Sequence, residues 1–326
     1  MKAIVIREPG GPEVLSLEEV PEPSLGAGQI AIDVKATALN RADLLQRRGI
    51  YPPPTGESEI LGLECAGVVA AHGPGASGPP IGSRVMALLA GGGYAERVVI
   101  PGRMALPIPD GLSFEQAAAI PEAFLTAQEA LFTLGRLAPG QTALVHASAG
   151  GVGSAAVQLA HEHGARVVAT AGSSDKLERV RALGADVLID YKTQSFADVV
   201  RDVTEGRGAD VVLDFVGGAY FDQHTSCLAV GGRLIVIGVL GGATAQLNLA
   251  QLLMRRCQIL GLVMRSRSVV DKIAISQTFA RDWLPRFGSG RLAPVVDSVL
   301  PLADARRAHE RMEANANIGK IVLSVG

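Results

Sequence analysis

A glycine-rich segment in the middle of the chain has the residue types and spacing of a phosphate-binding loop. Residues 143–153 read ALVHASAGGVG and precede an apolar stretch with helical periodicity. In a strand–turn–helix unit of this kind, the unpaired N–H groups at the start of the helix face an anion. We expect Gly150 to let the backbone approach a pyrophosphate and Gly153 to let the helix pack close to the strand. The predicted phosphate contacts come from Ser148, Ala149, Gly150, Gly151, Val152 and Gly153.

This loop is an imperfect match to the usual G-x-G-x-x-G pattern, because Ser148 replaces the first glycine. Its position after the first of six apolar strands makes it a much more specific signal for a bound dinucleotide. A glycine-rich turn without a ligand is the alternative that the local sequence leaves open.

The end of the second predicted strand indicates which dinucleotide is bound. Sites selective for NAD place Asp or Glu there, where the carboxylate bonds the ribose 2′-hydroxyl. Residues 169–176 read ATAGSSDK and offer Ser173 and Lys176, with no carboxylate at the strand tip. A 2′-phosphate favours hydroxyl donors and a cation, so NADPH is the predicted cofactor, with Tyr191 as a further donor or as an aromatic cover. Asp175 opposes this prediction, although in the first turn of a helix it also stabilises the helix dipole.

Apolar runs alternate with helical segments through the middle of the chain. The predicted strands lie at 143–146, 167–170, 187–189, 211–213, 234–237 and 259–263. This alternation predicts βαβ units and therefore a parallel sheet. Six such strands make one doubly wound α/β domain of the Rossmann type, predicted to span residues 121–265.

The two flanking segments, 1–120 and 266–326, are predicted to form a second domain. The first carries short apolar stretches of period two, broken by Gly and Pro clusters, which is the pattern of a β-barrel-like domain. The second carries helical stretches at 272–287 and 303–314 and a closing strand at 320–325. We expect that last strand to rejoin the first segment, so that the Rossmann domain is an insertion.

Composition and charge narrow the class of protein. The 326 residues are 48% hydrophobic and 19% charged, with a formal net charge of −2, so a nucleic acid is not an expected partner. The longest apolar runs have only the length of strands, so a membrane is not expected either. The three cysteines stand singly, without the spacing of a metal or redox site. The first residues lack a signal core or a basic leader, and a cytoplasmic protein is therefore expected.

Several separate stretches, in order along the chain, carry a resemblance to a known family. They are ALNRAD at 38–43, LGLE at 61–64, PEAFLTA at 121–127 and NANIGKIVL at 315–323. Together with the Rossmann segment they resemble the zinc-free quinone oxidoreductase branch of the medium-chain dehydrogenases/reductases over the whole length. GIYPPP at 49–54, AAAIPE at 117–122 and RSR at 265–267 are most similar to its tumour-suppressor-inducible group, with the zeta-crystallins more distant. The resemblance implies a GroES-like catalytic domain around the Rossmann unit.

Zinc alcohol dehydrogenases of the same superfamily bind catalytic zinc through a Cys, a His and a later Cys or acidic residue. In this sequence the Cys position is Asn40 and the His position is Leu63. Leucine cannot ligate a metal and an amide is a poor zinc ligand, so no metal is expected. The four-cysteine lobe is also missing. His161 and His163, two apart on a predicted helix, point to different faces.

The resemblance also implies an acceptor pocket in the cleft between the domains, near Asn40, Asp43, Tyr51 and Thr126. We expect Tyr51 to hydrogen-bond the acceptor oxygen or the nicotinamide ribose, and Asn40 to shape the pocket or hold water. Asp43 has a structural alternative, as a partner of Arg41 or of a backbone turn, and Thr126 either contacts the carboxamide or packs its helix. Backbone groups beyond the fifth and sixth strands are expected on the nicotinamide side, at Gly238, Leu240, Leu262 and Val263.

The predicted function is metal-free hydride transfer from NADPH to a quinone-like acceptor. The resemblance also implies a homodimer that pairs its last Rossmann strands edge to edge, and an apolar sixth strand needs its edge covered. An electron-poor acceptor delocalises the charge it gains, so the protein mainly has to bind, orient and hydrogen-bond it. One alternative is an NADPH-dependent enone or alkenal reductase, which must also deliver a proton to carbon. Another class is an NADPH-binding sensor, a structural protein or an RNA-binding protein with vestigial activity. The lack of a basic stripe argues against RNA.

Overall fold

Two units divide the chain in the computed structural model, which describes all 326 residues. The first consists of Met1–Leu125 and Met264–Gly326, and the second of Thr126–Val263. Residues 121–125 and 264–265, predicted within the Rossmann domain, therefore lie in the first unit.

The first unit begins with seven strands and three helices. The strands are β1 (Lys2–Ile6), β2 (Leu15–Glu19), β3 (Gln29–Ala38), β4 (Glu64–His72), β5 (Arg84–Leu88), β6 (Arg97–Pro101) and β7 (Leu106–Pro107). The helices are α1 (Arg41–Arg47), α2 (Phe114–Ala118) and α3 (Pro121–Gln128), the last of which continues into the second unit. Strand β3 is the centre of the larger sheet, because it pairs antiparallel with both β4 and β6. Its mostly buried side chains make it the core strand of this unit.

The second unit has the predicted alternation of strands and helices. Its elements are β8 (Thr142–Val145), α4 (Gly151–Glu162), β9 (Arg166–Ala171), α5 (Ser174–Ala182), β10 (Val187–Asp190), α6 (Phe196–Val203), β11 (Ala209–Asp214), α7 (Phe221–Cys227), β12 (Leu228–Val236), α8 (Leu249–Arg255) and β13 (Gln258–Gly261). All six strands are parallel, in the order β10-β9-β8-β11-β12-β13. The doubly wound sheet predicted from the sequence is confirmed.

The chain then returns to the first unit. This part contains α9 (Val269–Asp282), α10 (Leu284–Gly288), β14 (Val296–Pro301), α11 (Ala305–Glu313) and β15 (Lys320–Ser324). Strand β15 pairs antiparallel with β3, with Val322 opposite Ala38, so the prediction that the closing strand rejoins the N-terminal segment is confirmed. The stretch predicted as one helix at 272–287 is two helices. Pro285 explains the break, since its ring cannot follow the preceding turn of a continuous helix.

Helix α4 packs on the parallel sheet through the face that its periodicity predicted. Ala155, Ala156 and Leu159 are fully buried, and Val152 at its first turn is half-buried. Burial of this face anchors the start of the helix at the end of β8, where the glycine-rich turn lies. None of the helices combines the length and the apolar composition needed to cross a membrane.

Candidate active site

The glycine-rich turn of the second unit connects β8 to α4. Gly150 is the N-cap of α4, in an extended conformation. A Cβ at Gly153 would lie 2.3 Å from the carbonyl oxygen of Ala147, so only glycine fits there without a shift. Ala147 itself has a positive φ of 45°, which turns the chain sharply after the strand. The N–H groups of the first turn of α4 have no partner within the helix and are available to an anion.

Ser148, which replaces the first glycine of the motif, forms its hydrogen bonds within the protein. It is fully buried, and its Oγ and its backbone N both donate to the carbonyl oxygen of Thr170, at 2.9 and 3.1 Å. The side chain therefore ties the turn to the end of β9. Ala149 beside it is also buried. Contact of either residue with a cofactor stays a prediction.

The tip of β9 has the polar residues that the sequence predicted and no carboxylate. Ser173 is the N-cap of α5, where its side chain accepts from the backbone N of Lys176, and Asp175 lies in the first turn of that helix. Tyr191 follows β10 and is 44% exposed. A Cβ at Gly172 would lie 2.5 Å from the Tyr191 Oη, so the glycine is what lets the phenol lie over the strand tip.

The remaining predicted cofactor contacts differ in exposure. The Thr126 side chain is buried, and its Oγ1 has no hydrogen-bond partner in the protein. A buried hydroxyl without a partner is costly unless a ligand or water satisfies it, so a polar ligand group fits there. Beyond β12 and β13, Leu240 and Val263 are exposed and Leu262 is buried. The glycine cradle and the Thr126 hydroxyl together fit a dinucleotide.

In the first unit, Asn40 belongs to a buried polar network. Its Nδ2 donates to Glu64 Oε1 at 2.9 Å, and its Oδ1 accepts from Lys320 Nζ at 2.7 Å. Lys320 also pairs with Glu64 Oε1 at 2.7 Å and donates to the carbonyl oxygen of Leu39 at 2.6 Å. Both polar ends of the Asn40 amide are therefore bonded to the protein. This arrangement favours a positioning role, and its predicted role in the acceptor pocket stays untested.

Asp43 lies beside this network and accepts three hydrogen bonds. Backbone N–H groups of Asn40 and Gly62 donate to it at 2.7 and 3.2 Å, and Tyr94 Oη donates at 3.3 Å. Burial raises the pKa of Asp43 to about 6, against the opposing effect of these backbone donors and of Lys320. Its contacts are those of the structural alternative, a carboxylate that caps a backbone turn, whereas Arg41 pairs with Asn315.

A chain of hydrogen bonds continues from Asp43 to the last helix. Tyr94 Oη lies 3.2 Å from His309 Nε2, and His309 Nδ1 lies 3.1 Å from Arg47 Nη1. Arginine can only donate, so His309 Nδ1 accepts and its Nε2 carries the proton. Burial and the Arg47 charge lower the pKa of His309 to about 3, in keeping with a neutral ring. This series of hydrogen bonds fixes the start of α1 against α11.

Tyr51 is half-buried and is held by Arg265. The guanidinium carbon of Arg265 lies 5.4 Å from the centre of the Tyr51 ring, and its Nη1 donates to the Tyr51 carbonyl oxygen at 3.2 Å. Arg265 also donates to the carbonyl oxygen of Ala90 at 2.7 Å and to Gln46 Oε1 at 2.7 Å. Burial raises the pKa of the Tyr51 phenol, so it is a neutral donor at physiological pH. No bond within the protein occupies this phenol, which leaves it available to a ligand.

Two family models match separate parts of this chain. The family model described as "Alcohol dehydrogenase GroES-like domain" matches residues 26–110, and that described as "Zinc-binding dehydrogenase" matches residues 151–279. A curated quinone oxidoreductase of Rattus norvegicus is 31% identical over 326 residues, which cover 99% of this chain and 97% of the relative. The chain belongs to the medium-chain dehydrogenase/reductase superfamily.

Solved structures agree with this assignment. The chain is similar to an NAD-dependent alcohol dehydrogenase, at 38% identity and a TM-score of 0.89, with both chains covered completely. The Escherichia coli quinone oxidoreductase in complex with NADPH matches at 30% identity and a TM-score of 0.88, covering 99% of this chain and 100% of that one. The CurK enoyl reductase matches at 29% identity and a TM-score of 0.88, covering 100% and 99%.

One of the curated relatives is far longer than this chain. A phenolphthiocerol/phthiocerol polyketide synthase protein of Mycobacterium tuberculosis is 34% identical over 321 residues. The match covers 98% of this chain but only 14% of the synthase protein. A segment of this length therefore occurs both as most of a protein, as in the rat relative, and as a small part of a much larger one.

The positions that bind zinc in other medium-chain dehydrogenases carry other chemistry here. Leu63 is buried and has no ligating atom, and Asn40 is bonded to Lys320 and Glu64. Nowhere in the chain do three or more His, Cys, Asp or Glu side chains form a group that could hold a metal ion.

Sequence reasoning missed several polar residues of this medium-chain reductase. Lys320, Glu64, Tyr94 and His309 lie far apart in the sequence, in stretches that read as ordinary strand or helix. Only Glu64 and Lys320 could have been identified from the sequence, because each is a charged residue inside an otherwise apolar run.

Proposed function

We propose that this chain is an NADPH-dependent reductase that transfers hydride to a quinone-like acceptor without zinc. The proposal is carried by the buried Lys320 ammonium, which bonds both Asn40 and Glu64 where zinc-dependent relatives bind their metal. A second cation there would be repelled by the ammonium, and Leu63 supplies no ligand atom. Reduction without a Lewis acid requires an acceptor that is already electron-poor, and quinones meet this requirement.

The residues that would bind the cofactor are those of the glycine turn and the strand tip. N–H groups at Gly151–Gly153 would bind the pyrophosphate, since the Gly150 N–H already donates to the carbonyl oxygen of Ala147 at 2.9 Å. Ser173, Lys176 and Tyr191 would bind the 2′-phosphate, and Thr126 the carboxamide. The similarity to the Escherichia coli quinone oxidoreductase in complex with NADPH supports NADPH as the cofactor. The similarity to an NAD-dependent alcohol dehydrogenase favours NADH instead. When bound, the cofactor supplies a hydride.

The chain's own contribution is to orient the acceptor and to stabilise the charge that it gains. Tyr51 would donate a hydrogen bond to an acceptor oxygen, and Arg265 holds its ring and backbone in place. The network of Lys320, Asn40 and Glu64 keeps the adjoining turn rigid. Such preorganised donors account for much of the rate that an enzyme gains without a metal.

A second candidate function is reduction of an α,β-unsaturated carbonyl compound. The similarity to an enoyl reductase favours it. The same residues would serve, but this reaction must also place a proton on carbon. The two candidates therefore differ in the acceptor that is turned over and share the cofactor site.

The proposal is tested by a steady-state screen of NADPH oxidation with ortho-quinones, para-quinones and enones. We expect turnover with quinones, faster than with enones and unchanged after treatment with a chelator. Absence of turnover with every acceptor would refute a reductase function. One tightly bound zinc per chain by elemental analysis, with activity lost on chelation, would refute the zinc-independent mechanism.

We also propose that the protein is a homodimer paired through β13. This strand is the edge of the parallel sheet, and an unpaired edge offers hydrogen-bonding groups to a second copy. The neighbouring helix α8 exposes Leu249, Leu253 and Met254, whose side chains are 69–78% exposed. An apolar patch next to a free edge favours association with an identical surface.

A cytoplasmic location is proposed from the cysteines. All three are unpaired, and two of them, Cys65 and Cys227, are buried. Burial raises the pKa of each of these two thiols to about 12, so neither is reactive. Unpaired packing cysteines are typical of a reducing compartment.

A further inference from the structure

A surface cavity of about 400 Å³ lies within the first unit. One wall is the segment 9–12, which lies between β1 and β2. The other wall is formed by Arg47 and Arg48 at the end of α1 and by Glu313, the last residue of α11. A volume of this size is in the range of sites that bind small molecules. None of these residues has been assigned to the proposed cofactor or acceptor sites.

The two walls are fixed to each other by a reciprocal pair of hydrogen bonds. The N–H group of Gly10 donates to the carbonyl oxygen of Arg47 at 3.1 Å, and Arg47 Nε donates to the carbonyl oxygen of Gly10 at 3.1 Å. The N–H group of Gly11 donates to Glu13 Oε1 at 2.9 Å, and the two prolines of the segment have no N–H group. The segment 9–12 therefore offers no free N–H group, and the donors in this cavity are those of the arginines.

Positive charge exceeds negative charge in the lining of the cavity. Arg47 and Arg48 both pair with Glu313 Oε1, Arg48 at 2.6 Å. Burial raises the pKa of Glu313, but the hydrogen bonds from the two arginines lower it overall, so the group is a carboxylate. Two guanidinium groups thus share one negative charge.

Arg41 adds a third cation at this end of the molecule. It lies seven residues before Arg48 along α1, and residues seven apart lie on the same face of a helix. Its Nη2 donates to the amide oxygen of Asn315, two residues beyond Glu313, and it has no ion pair with a carboxylate. Burial and the charge of Arg48 lower the pKa of Arg41, while Glu313 raises it in part. Three arginines therefore depend on a single carboxylate.

Arg48 has the guanidinium group that a ligand can reach. Its side chain is 46% exposed, and of its five N–H groups only those of Nη2 have a partner, Glu313. The Arg47 side chain is fully buried, and its three nitrogens bond Gly10, His309 and Glu313. Arg47 therefore supplies a fixed positive charge in the wall, and Arg48 supplies the free donors.

We propose that this cavity binds the phosphoryl group of a small molecule through Arg48, with the charges of Arg47 and Arg41 behind it. The planar fork of a guanidinium matches two oxygens of a phosphate. A phosphoryl group has about two negative charges and three acceptor oxygens, so it balances more positive charge than a carboxylate such as Glu313 does. The prolines of the segment 9–12 contact the organic part of the molecule. The site does not depend on the proposed reductase function.

The first test titrates inorganic phosphate into the protein by isothermal titration calorimetry at low salt. Wild-type protein should bind phosphate, and Arg48→Met should weaken binding about tenfold or more, because charge-assisted hydrogen bonds are lost. The matched control is Arg306→Met, which removes an exposed arginine that pairs with Glu310 on α11 and should bind as the wild type does. Lys176→Ala should also bind as the wild type does, which separates this cavity from the proposed 2′-phosphate site.

The second test removes the carboxylate that competes with the ligand. Glu313→Gln retains the shape of the side chain without its charge, so phosphate binding should strengthen about fivefold or more. Glu310→Gln is the matched control and should leave binding unchanged. Because Arg47 would remain buried without its anion, Glu313→Gln should also be less stable, and phosphate should raise its Tm more than that of the wild type.

Two further probes define the chemistry of the ligand. Phenyl phosphate should bind more tightly than inorganic phosphate, because its ring gains contact with the prolines of the segment 9–12. Acetate has one charge, as Glu313 does, and should not bind measurably. Equal binding of acetate and phosphate would overturn the assignment to a phosphoryl group.

The outcomes also separate this inference from the reductase proposal, since none of them is read from turnover. Phosphate binding that is unchanged in Arg48→Met, or no binding by the wild type, would overturn the site and leave the reductase function standing. Weaker binding by Glu313→Gln would show that the arginines and Glu313 form a structural ion pair alone. If Glu313→Gln does not fold, the comparison of Arg48→Met with Arg306→Met decides.

Discussion

The ammonium of Lys320 donates a hydrogen bond to Asn40 Oδ1 at 2.7 Å, across 280 residues of sequence. The first residue opens the last strand of the chain and the second precedes the first helix. Pairing of β15 with β3 brings them together, and Glu64 at the start of β4 completes the group. A fixed cation thus stands among the residues where related enzymes bind a metal.

Replacing Lys320 by methionine should destabilise the first unit strongly. Glu64 would remain buried without its cation, and breaking a buried pair from one side costs about 3–5 kcal/mol. The free energy of unfolding, from urea titration, measures this. Lys35→Met, on an exposed position of β3, is the control and should change stability by less than about 0.5 kcal/mol. Equal effects of the two substitutions would contradict the importance of the network.

Acidification should destabilise the protein through a buried histidine pair of the second unit. His146 Nε2 and His224 Nε2 lie 2.9 Å apart, and both rings are fully buried. Burial lowers the pKa of His146 far below 6.5 and that of His224 to about 3. The folded state therefore excludes protons that the unfolded state binds. The two neutral histidines contribute fully to the free energy of unfolding above pH 6.5. That free energy decreases as the pH falls from 6.5 toward 3, by up to about 1.4 kcal/mol per pH unit for each ring.

His224→Gln should make this pH dependence shallower, because one of the two contributions is removed. The slope of unfolding free energy between pH 6 and pH 4 would decrease by about 1.4 kcal/mol per pH unit. His72→Gln, at an exposed ring, is the control and should leave the slope as it is. An unchanged slope in His224→Gln would show that the pair takes up protons in the folded state.

Lys176→Ala should weaken binding of NADPH much more than binding of NADH. A charge-assisted bond to the 2′-phosphate contributes about 1.5–3 kcal/mol, which implies at least about a tenfold preference for NADPH in the wild type. High salt should narrow the gap between the two cofactors. Lys192→Ala, an exposed lysine just beyond Tyr191, serves as control. Equal wild-type affinities, measured by fluorescence titration, would show that the strand tip does not select NADPH.

Tyr51→Phe should lower quinone turnover while NADPH affinity stays nearly constant. The ring would remain held by Arg265, so the substitution removes only the phenol donor. Loss of one such hydrogen bond corresponds to roughly 1–2 kcal/mol, or about 5- to 30-fold in rate. Steady-state kinetics with several quinones measure the effect. Unchanged turnover with all of them would leave Tyr51 as a packing residue.

Leu260→Asp should convert the proposed dimer to monomers, because it places a charge on the edge strand β13. Light scattering at working concentration measures the mass. The control is Val299→Asp, which places the same charge on a half-exposed position of β14, the edge strand of the other sheet. A wild-type protein that is itself monomeric would refute the dimer.

The sequence predicted most accurately the features that depend on neighbouring residues. The glycine turn at Gly150 and Gly153 was recognised because steric exclusion of a Cβ acts within a few residues. The six parallel strands followed from local apolar runs. The break between α9 and α10 also has a local cause, Pro285. The sequence analysis did not predict this break because helical periodicity is present on both sides of the proline. Strand β14 was missed because its side chains are only partly buried and alternate weakly.

Local sequence was enough to predict the Rossmann unit, the lack of zinc-ligand types at Asn40 and Leu63, and the lack of a carboxylate at the tip of β9. Which polar groups lie together depended on the folded chain. Lys320 bonds Asn40 and His309 orients Tyr94, because strand pairing and helix packing bring distant segments within hydrogen-bonding range. The energetic cost of burying a lysine depends on whether distant segments supply partners for its ammonium. The local sequence does not contain this information, because a lysine in the same local sequence is solvated on a surface but must be paired in a core.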